Sequence, residues 1–385
     1  MNTLGIDASN IRSGGGVTHL VELLRNASPE KYGFSKVIIW SSKITLAKID
    51  DKDWLVKIHN KHIDGSLIRR IFWQRFCLKK SIRSFGCNLL FVPGGLDKSG
   101  FKPMVTMHRN LLPFEWQELL RYGFSLETMR LIILRFAQLT SFKRASGTIF
   151  LTQYAQDSVL KITGALKGNK ALIPHGVDQR FFVTPRKQKS FNDYNINKPV
   201  RLVYVSSIEL YKHQWNVVEA VSMLHNKGIH VTLDLIGAPQ YPAAVKRLQL
   251  AIEKFDPHGQ YVHYHGPIKH EAIHKEYLKA DIAVFASSCE TFGQILIEAM
   301  SAGLPVACSN VSAMPELLGD TGIFFDPLNP DSIATALKKL IESAELRAKN
   351  ASNSFELARE FSWERCSNET FSFLKSCLTT DSYLS

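Results

Sequence analysis

Short apolar runs rich in β-branched and aromatic residues, each closed by Gly, Pro or Asn and followed by a longer amphipathic stretch, recur along the chain. Runs of this length read as strands buried on both faces, and the stretches between them as the helices that cover them. In the first half, strands are predicted at 3–9, 36–40, 88–94, 104–108, 147–152 and 170–176. The alternation stops over 184–199, a Lys- and Asn-rich stretch with no apolar period that reads as a linker. It resumes with strands at 201–207, 231–237, 261–266, 281–287, 305–309 and 322–326, and the final helices follow Asp331. The expected fold class is α/β, with two Rossmann-like, doubly wound parallel-sheet domains facing across a cleft. Their bounds are 1–183 and 200–361, either side of the 184–199 linker.

Composition agrees with two domains: the chain has 385 residues, 45% of them hydrophobic, enough for two cores. No apolar run approaches the roughly 18–20 residues that span a bilayer; the richest candidate, 131–136, is interrupted by Arg135. The first residues lack a basic region followed by an apolar one, so no secretory signal is read. Six cysteines without a C-x-x-C pair suit reduced thiols. The expectation is a cytoplasmic protein, soluble or peripheral at the inner face of the membrane. Charge changes the picture of the first half. Residues 1–180 carry 27 Lys+Arg against 13 Asp+Glu, and the remainder 20 against 22, within a net charge of +12. An acidic partner for that half is implied: a phosphorylated substrate, an anionic membrane surface or nucleic acid. No nucleic-acid motif accompanies the charge, which disfavours the last. The stretch 67–86 reads as an amphipathic helix with cations beside Phe72, Trp73 and Phe76. It either docks on anionic lipid or packs its aromatics into the first domain.

The densest chemistry lies at 290–298, ETFGQILIE, directly after a predicted strand. With Gly293 near the first helical turn, the amides there form an anion site suited to a diphosphate. Glu290 then stands in the preceding loop, with Thr291 and Phe292 between it and the glycine, and Glu298 lies about two turns on. Carboxylates so placed accept paired hydrogen bonds from the hydroxyls of a sugar and a ribose. Lys212 follows the first strand of the second domain and can neutralise a departing phosphate. Gly14, Gly15 and Gly16 lie between a strand and a helix, where backbone approaches phosphate closely. His108 ends a strand, with Arg109 beside it and Arg12 in the glycine loop as candidate contacts for an acidic acceptor.

In combination these residues resemble the retaining, GT-B-fold glycosyltransferases (glycosyltransferase family 4-like, group 1), whose E-x7-E motif precedes a small-residue G-x-P-V stretch. Here that pattern is Glu290 and Glu298, then Gly303, Pro305 and Val306. The resemblance runs from the glycine loop to 361–366, FSWERC, similar to the family's final helix that crosses back to the first domain, here about 362–380. It implies a nucleotide-sugar donor held mainly by the second domain and a glycan or lipid-linked acceptor held by the first. It also implies sugar transfer with retention by a front-face route without an obligatory metal or cofactor. Glu290, His108 and Lys212 become the catalytic candidates. Donor contacts fall to Gly15, Gly16, Ser206, Ser207, Lys212, Thr291, Phe292, Gly293 and Glu298. Ser206 and Ser207 stand where the family usually has Gly-Arg, so one expected cation is missing. The sequence YKHQ at 211–214 is similar to enzymes of bacterial surface-polysaccharide (O-antigen or capsule) assembly, many of which use GDP-mannose.

Three rival readings make distinct demands. A sugar-nucleotide epimerase of the same fold needs further acid–base groups around the sugar. A non-catalytic basic binding protein needs only the charge. An NAD oxidoreductase needs an acidic ribose reader about 20 residues after the glycine loop, where the chain has the apolar run 37–41. The D-x-D string Asp51–Asp53 lies in a charged stretch far from the donor motifs and is not read as a metal site.

Overall fold

In the computed structural model, which describes residues 2–380, both expected sheets form and every pairing between their strands is parallel. The first sheet contains β1 (Asn2–Asp7), β2 (Phe34–Ser41), β3 (Leu55–His59), β4 (Leu89–Val92), β5 (Met104–Met107), β6 (Gly147–Phe150) and β7 (Asn169–Leu172). Their spatial order is β3-β2-β1-β4-β5-β6-β7. The second contains β8 (Val200–Val205), β9 (Val231–Ile236), β10 (Val262–Tyr264), β11 (Ile282–Phe285), β12 (Val306–Ser309) and β13 (Ile323–Phe325), in the order β10-β9-β8-β11-β12-β13. In each sheet the winding reverses once, between β1 and β4 and between β8 and β11. Ligands of such sheets bind beyond the carboxyl ends of the strands at that reversal.

The contacts divide the chain into two units. The first takes the chain up to Phe114, then Phe124–Gly176 and the chain from Ser362; the second takes Glu115–Gly123 and Val177–Phe361. The division therefore falls at Gly176/Val177, ahead of the stretch expected as a linker. Residues 184–199 are packed on the second unit. Arg186 bonds Asp281 at 3.0 Å, and the fully buried Arg347 reaches Gln188 at 3.2 Å and the Lys189 carbonyl at 2.5 Å. A polar stretch can be fixed by buried charge as firmly as by apolar side chains, which is why its lack of periodicity misleads.

One strand lies outside the expected set, and one further expectation is corrected. The edge strand β3 is half-exposed along most of its length and carries Lys57 and His59, so its apolar signal is weak. The helix expected over 67–86 is three pieces, Leu67–Phe72, a π-helical turn at Trp73–Cys77 and Leu78–Ser84. The extra residue of a π turn rotates the following face. Trp73 is thereby buried with Leu78 and Ile82, while Phe72 and Phe76 stay half or more exposed.

The last helix, Trp363–Thr380, lies on the first unit. Its Ser367 hydroxyl donates to the Leu23 carbonyl at 3.0 Å, and Phe371 lies edge-on to Phe34. Glycine makes this approach possible. A Cβ on Gly176 would stand 2.2 Å from the Trp363 nitrogen, and one on Gly147 would stand 2.5 Å from the Cys377 sulfur. Gly176→Ala is therefore expected to destabilise the protein by about 1–3 kcal/mol through backbone displacement, read as a lowered midpoint in chemical denaturation. An unchanged midpoint would remove this seat from the explanation of how the helix is held.

Candidate functional site

In the second unit, two loops leave the carboxyl ends of β8 and β11. The first runs through Ser206 and Ser207 to a 3₁₀ turn, Leu210–Lys212, and enters helix Gln214–Asn226 through His213 at φ 51°. The second runs through Glu290 to Gly293, which caps helix Gln294–Ser301 at φ 79°. Glycine is favoured there by its left-handed backbone, and a Cβ would also displace the Met314 methyl, 2.7 Å away. The loops are tied together. The Ser288 amide donates to the Tyr211 carbonyl at 2.8 Å, and the Ser288 hydroxyl lies 2.8 Å from His213 Nε2. Burial pushes His213 down to about 3, so this ring is neutral.

Lys212 and Glu290 form an ion pair across the two loops. The ammonium is buried over the rings of Phe285 and Tyr211, at 5.0 and 5.2 Å from their centroids. Glu290 is held through its backbone as well: its amide donates to the Ser312 hydroxyl at 2.8 Å, and that hydroxyl donates to the Glu290 carbonyl at 3.0 Å. Two sequence-predicted groups thus meet, and Ser312, which nothing in the sequence marks, holds one of them. Ser206 is turned inward. Its hydroxyl donates to the Ser207 carbonyl and accepts from the Gln214 amide, both at 3.0 Å. The Phe292 ring packs against Phe361 in the core, 5.4 Å between centroids.

Glu298 lies in the second turn of the Gly293-capped helix and is only 4% exposed. Its Oε1 is 2.9 Å from His270 Nε2, while His270 Nδ1 is 2.8 Å from an Arg180 nitrogen. Since arginine can only donate, Nδ1 accepts, and the neutral tautomer carries its proton on Nε2 and donates to Glu298. The hydrogen bond to Glu298 raises the pKa of His270 against burial and against Arg180. His270 and Arg180 were not legible as site residues, because neither belongs to a motif and both come from elements distant in sequence.

In the first unit, Gly14 caps helix Gly15–Arg25 at φ 63°, so three glycines present backbone at an anion-binding helix start. Arg109 faces this loop, its guanidinium nitrogen 3.2 Å from where a Cβ on Gly16 would lie. Burial lowers this guanidinium to about 10. Arg12 is tied to the Asp64 and Gly65 carbonyls at 3.2 and 3.4 Å. Arg70 reaches Asn10 at 3.3 Å, and both burial and the Arg12 charge lower its pKa. The loop is thus ringed by cations, with Arg70 an addition to the two expected.

His108 directly follows β5, with its ring turned inward. Its ring is buried among Phe114, Phe142 and Phe150, with Nε2 3.0 Å from the Asn110 carbonyl, and burial lowers it to about 4. The aromatic residues around the strand end draw the imidazole into the core. Asp51 is exposed and paired with Lys57. Among the described residues, one cluster has metal-donor types: His19, His175 and Cys366, with ligand atoms within 4.8 Å of one another. The two imidazoles pack at a tilt with centroids 4.4 Å apart, and the Trp363 ring lies 5.7 Å from His175. Burial and the Arg109 charge depress both histidines. A dication would face that same guanidinium, and the cluster is better read as packing beneath the last helix.

The family described as "Glycosyl transferases group 1" matches residues 162–356, just over half the chain. The O-antigen chain mannosyltransferase B of Escherichia coli is 27% identical over 252 residues, which are 65% of this chain and 62% of that protein. A D-inositol 3-phosphate glycosyltransferase of Corynebacterium glutamicum is 27% identical over 172 residues, 42% of this chain and 40% of the relative. The matches thus span less than two thirds of these relatives' lengths. Among solved structures, a sucrose-phosphate synthase from Thermosynechococcus elongatus superimposes with a TM-score of 0.76 at 18% identity, covering 96% of this chain and 97% of that one. The Anabaena protein HepE in complex with UDP-glucose does so at 0.70 and 16%, over the full length of both. Both likenesses establish the two-sheet GT-B fold.

Two outcomes follow from the geometry. Lys212→Met and Glu290→Gln each remove half of a largely buried pair and are expected to cost about 3 kcal/mol, while the double variant costs less than their sum in denaturant titration; strict additivity would mean that the pair is not coupled. His270 should titrate above the usual 6.5 by NMR and fall back in Glu298→Gln. Because its folded value is raised, its pair with Glu298 stabilises fully below the unfolded value and fades as pH rises through the folded one. A midpoint at or below 6.5 in the unmodified protein would contradict this arrangement.

Proposed function

Because the chain belongs to the glycosyl transferases group 1 family, we propose that it is a hexosyltransferase that moves a sugar from a nucleoside diphosphate to a hydroxyl of a glycan or lipid-linked acceptor, retaining the anomeric configuration. The observation that carries this reading is the Lys212–Glu290 pair beside the Gly293-capped helix at the winding reversal of the second sheet. The helix start and Lys212 receive the diphosphate and stabilise the charge that grows on it as the glycosidic bond breaks. Glu290 accepts hydrogen bonds from the sugar hydroxyls. As those hydroxyls take over the carboxylate, the Lys212 ammonium is released toward phosphate. Glu298, oriented by His270, accepts from the ribose hydroxyls.

No protein nucleophile is needed on this route: the acceptor hydroxyl attacks the face that the leaving diphosphate vacates, and a diphosphate oxygen takes its proton. No obligatory metal is required, since Lys212 and the helix amides supply the positive potential. The cationic glycine loop of the first unit, with Arg12, Arg70 and Arg109, suits an acceptor bearing phosphate, such as a lipid-linked diphosphate at the inner face of a membrane. The Escherichia coli relative's name supports mannose as the sugar, GDP-mannose as the donor and surface-polysaccharide assembly as the setting.

A donor-hydrolysis screen with GDP-, UDP-, dTDP- and ADP-sugars, with and without EDTA, tests this. Release from one donor that survives EDTA and falls by about 100-fold or more in Lys212→Ala and Glu290→Gln is expected. The absence of both turnover and calorimetric binding for every donor would sink the reading, and loss of activity in EDTA would sink its metal-free form.

A further inference from the structure

Helix Leu126–Arg144 joins β5 to β6 in the first unit, buries Leu131 and Phe142 against it, and carries further large apolar residues on its solvent face. It buries Gln138 and Ser141, the latter accepting from the Asp97 amide at 3.0 Å. To solvent it shows Leu126, Met129, Ile133 and Phe136, which are 81%, 54%, 62% and 64% exposed, with Phe124 fully exposed just ahead. The 3-4-3 spacing puts the four on one stripe. A helix that only covers a sheet presents charged or polar residues there.

A second exposed apolar set lies on the pieces that join β3 to β4, where Leu67, Ile68, Phe72 and Phe76 are 50–79% exposed. The two rings pair at 5.1 Å. Both connections cross the sheet in the same direction, and right-handed crossovers therefore place both on one face. Contacts agree: Lys79 donates to the Gly100 carbonyl at 3.3 Å, Arg144 lies beside Gly100, and Ala145 shares the cluster of Trp73 and Leu78. Both connections run opposite to the strands, so their first halves lie toward the carboxyl edge of the sheet, where the glycine loop and Arg109 also follow their strands.

We propose that this face is a docking surface for an anionic phospholipid bilayer, with the stripe Leu126, Met129, Ile133 and Phe136 entering the headgroup–acyl boundary. Charge selects the occupant. Residues 67–86 contain six cations and no carboxylate, and Glu127 is the only acid on helix Leu126–Arg144, where it is paired with Arg130. A second copy meeting this face about a two-fold axis would set that cationic stretch against itself. Phosphate headgroups complement it. The inference deepens the reading of a lipid-linked acceptor and rests on it for its purpose, whereas its test reads binding alone.

The full chain is sedimented with phosphatidylcholine vesicles with and without phosphatidylglycerol, beside light scattering in solution. Binding should require phosphatidylglycerol, fall about tenfold or more in Ile133→Glu/Phe136→Glu, and lose its lipid preference in Arg69→Gln/Arg75→Gln/Lys80→Gln. Circular dichroism and donor hydrolysis should be unchanged in both variants. Three results would overturn the proposal: no sedimentation with either vesicle, equal binding by the glutamate variant, or a dimer that the glutamate variant dissolves in a protein that ignores vesicles. Failure of donor hydrolysis with vesicle binding intact would instead remove the transferase reading and leave the surface.

Discussion

Parallel strands covered by helices on both faces keep the side chains of the central strands dry, and the polar backbone there can meet a ligand only where the strands end. In each unit the reversal of winding pulls two connections apart at that edge, after β1 and β4 in one and after β8 and β11 in the other. Everything chemical here depends on that opening. The β8 loop brings Lys212, the β11 loop brings Glu290 and Gly293, and no pair of sequence neighbours could make the same arrangement. The ion pair is at once a fastening between the loops and a store of charge. The rings of Phe285 and Tyr211 cover the Lys212 ammonium, so removing its carboxylate partner would leave a buried charge uncompensated.

Much of this was readable before any coordinates. The strand–helix alternation, the E-x7-E spacing and the lysine after β8 are local patterns, and local patterns survive translation into three dimensions. Other features depend on partners far along the chain. His270 orients Glu298 from a different helix, Ser312 clamps Glu290 from beyond β12, and Gln214 turns Ser206 inward. None of these carries a periodicity or a motif. The ring of His108 was illegible for a related reason: position at a strand end says where a residue is, whereas Phe114, Phe142 and Phe150 decide which way its ring turns. The stretch 184–199 and the edge strand β3 show that polar composition does not imply a free segment when a buried arginine or a neighbouring strand supplies the partner.

Charge and apolar surface are distributed differently in the two units. The second unit spends its ionic groups on internal pairing: Arg201 and His265 on Asp234, Arg186 on Asp281, His270 on Glu298. The first gathers Arg12, Arg70 and Arg109 around the glycine loop and six cations along 67–86, and adds large apolar side chains facing outward.

The last helix has a consequence for how the protein is made. Residues 177–361 can complete the second unit as they emerge, since apart from Glu115–Gly123 that unit is continuous in sequence. The first unit emerges earlier yet stays unfinished, because Trp363–Thr380 covers Leu23, Phe34, Gly147 and Gly176. At about 5–20 residues per second, the nascent first unit waits roughly 10–40 s with that surface bare. During that interval the older half of the polypeptide is the one in need of protection from aggregation, and a chain ended just after Phe361 would carry a finished carboxyl-side domain attached to an incomplete amino-side one.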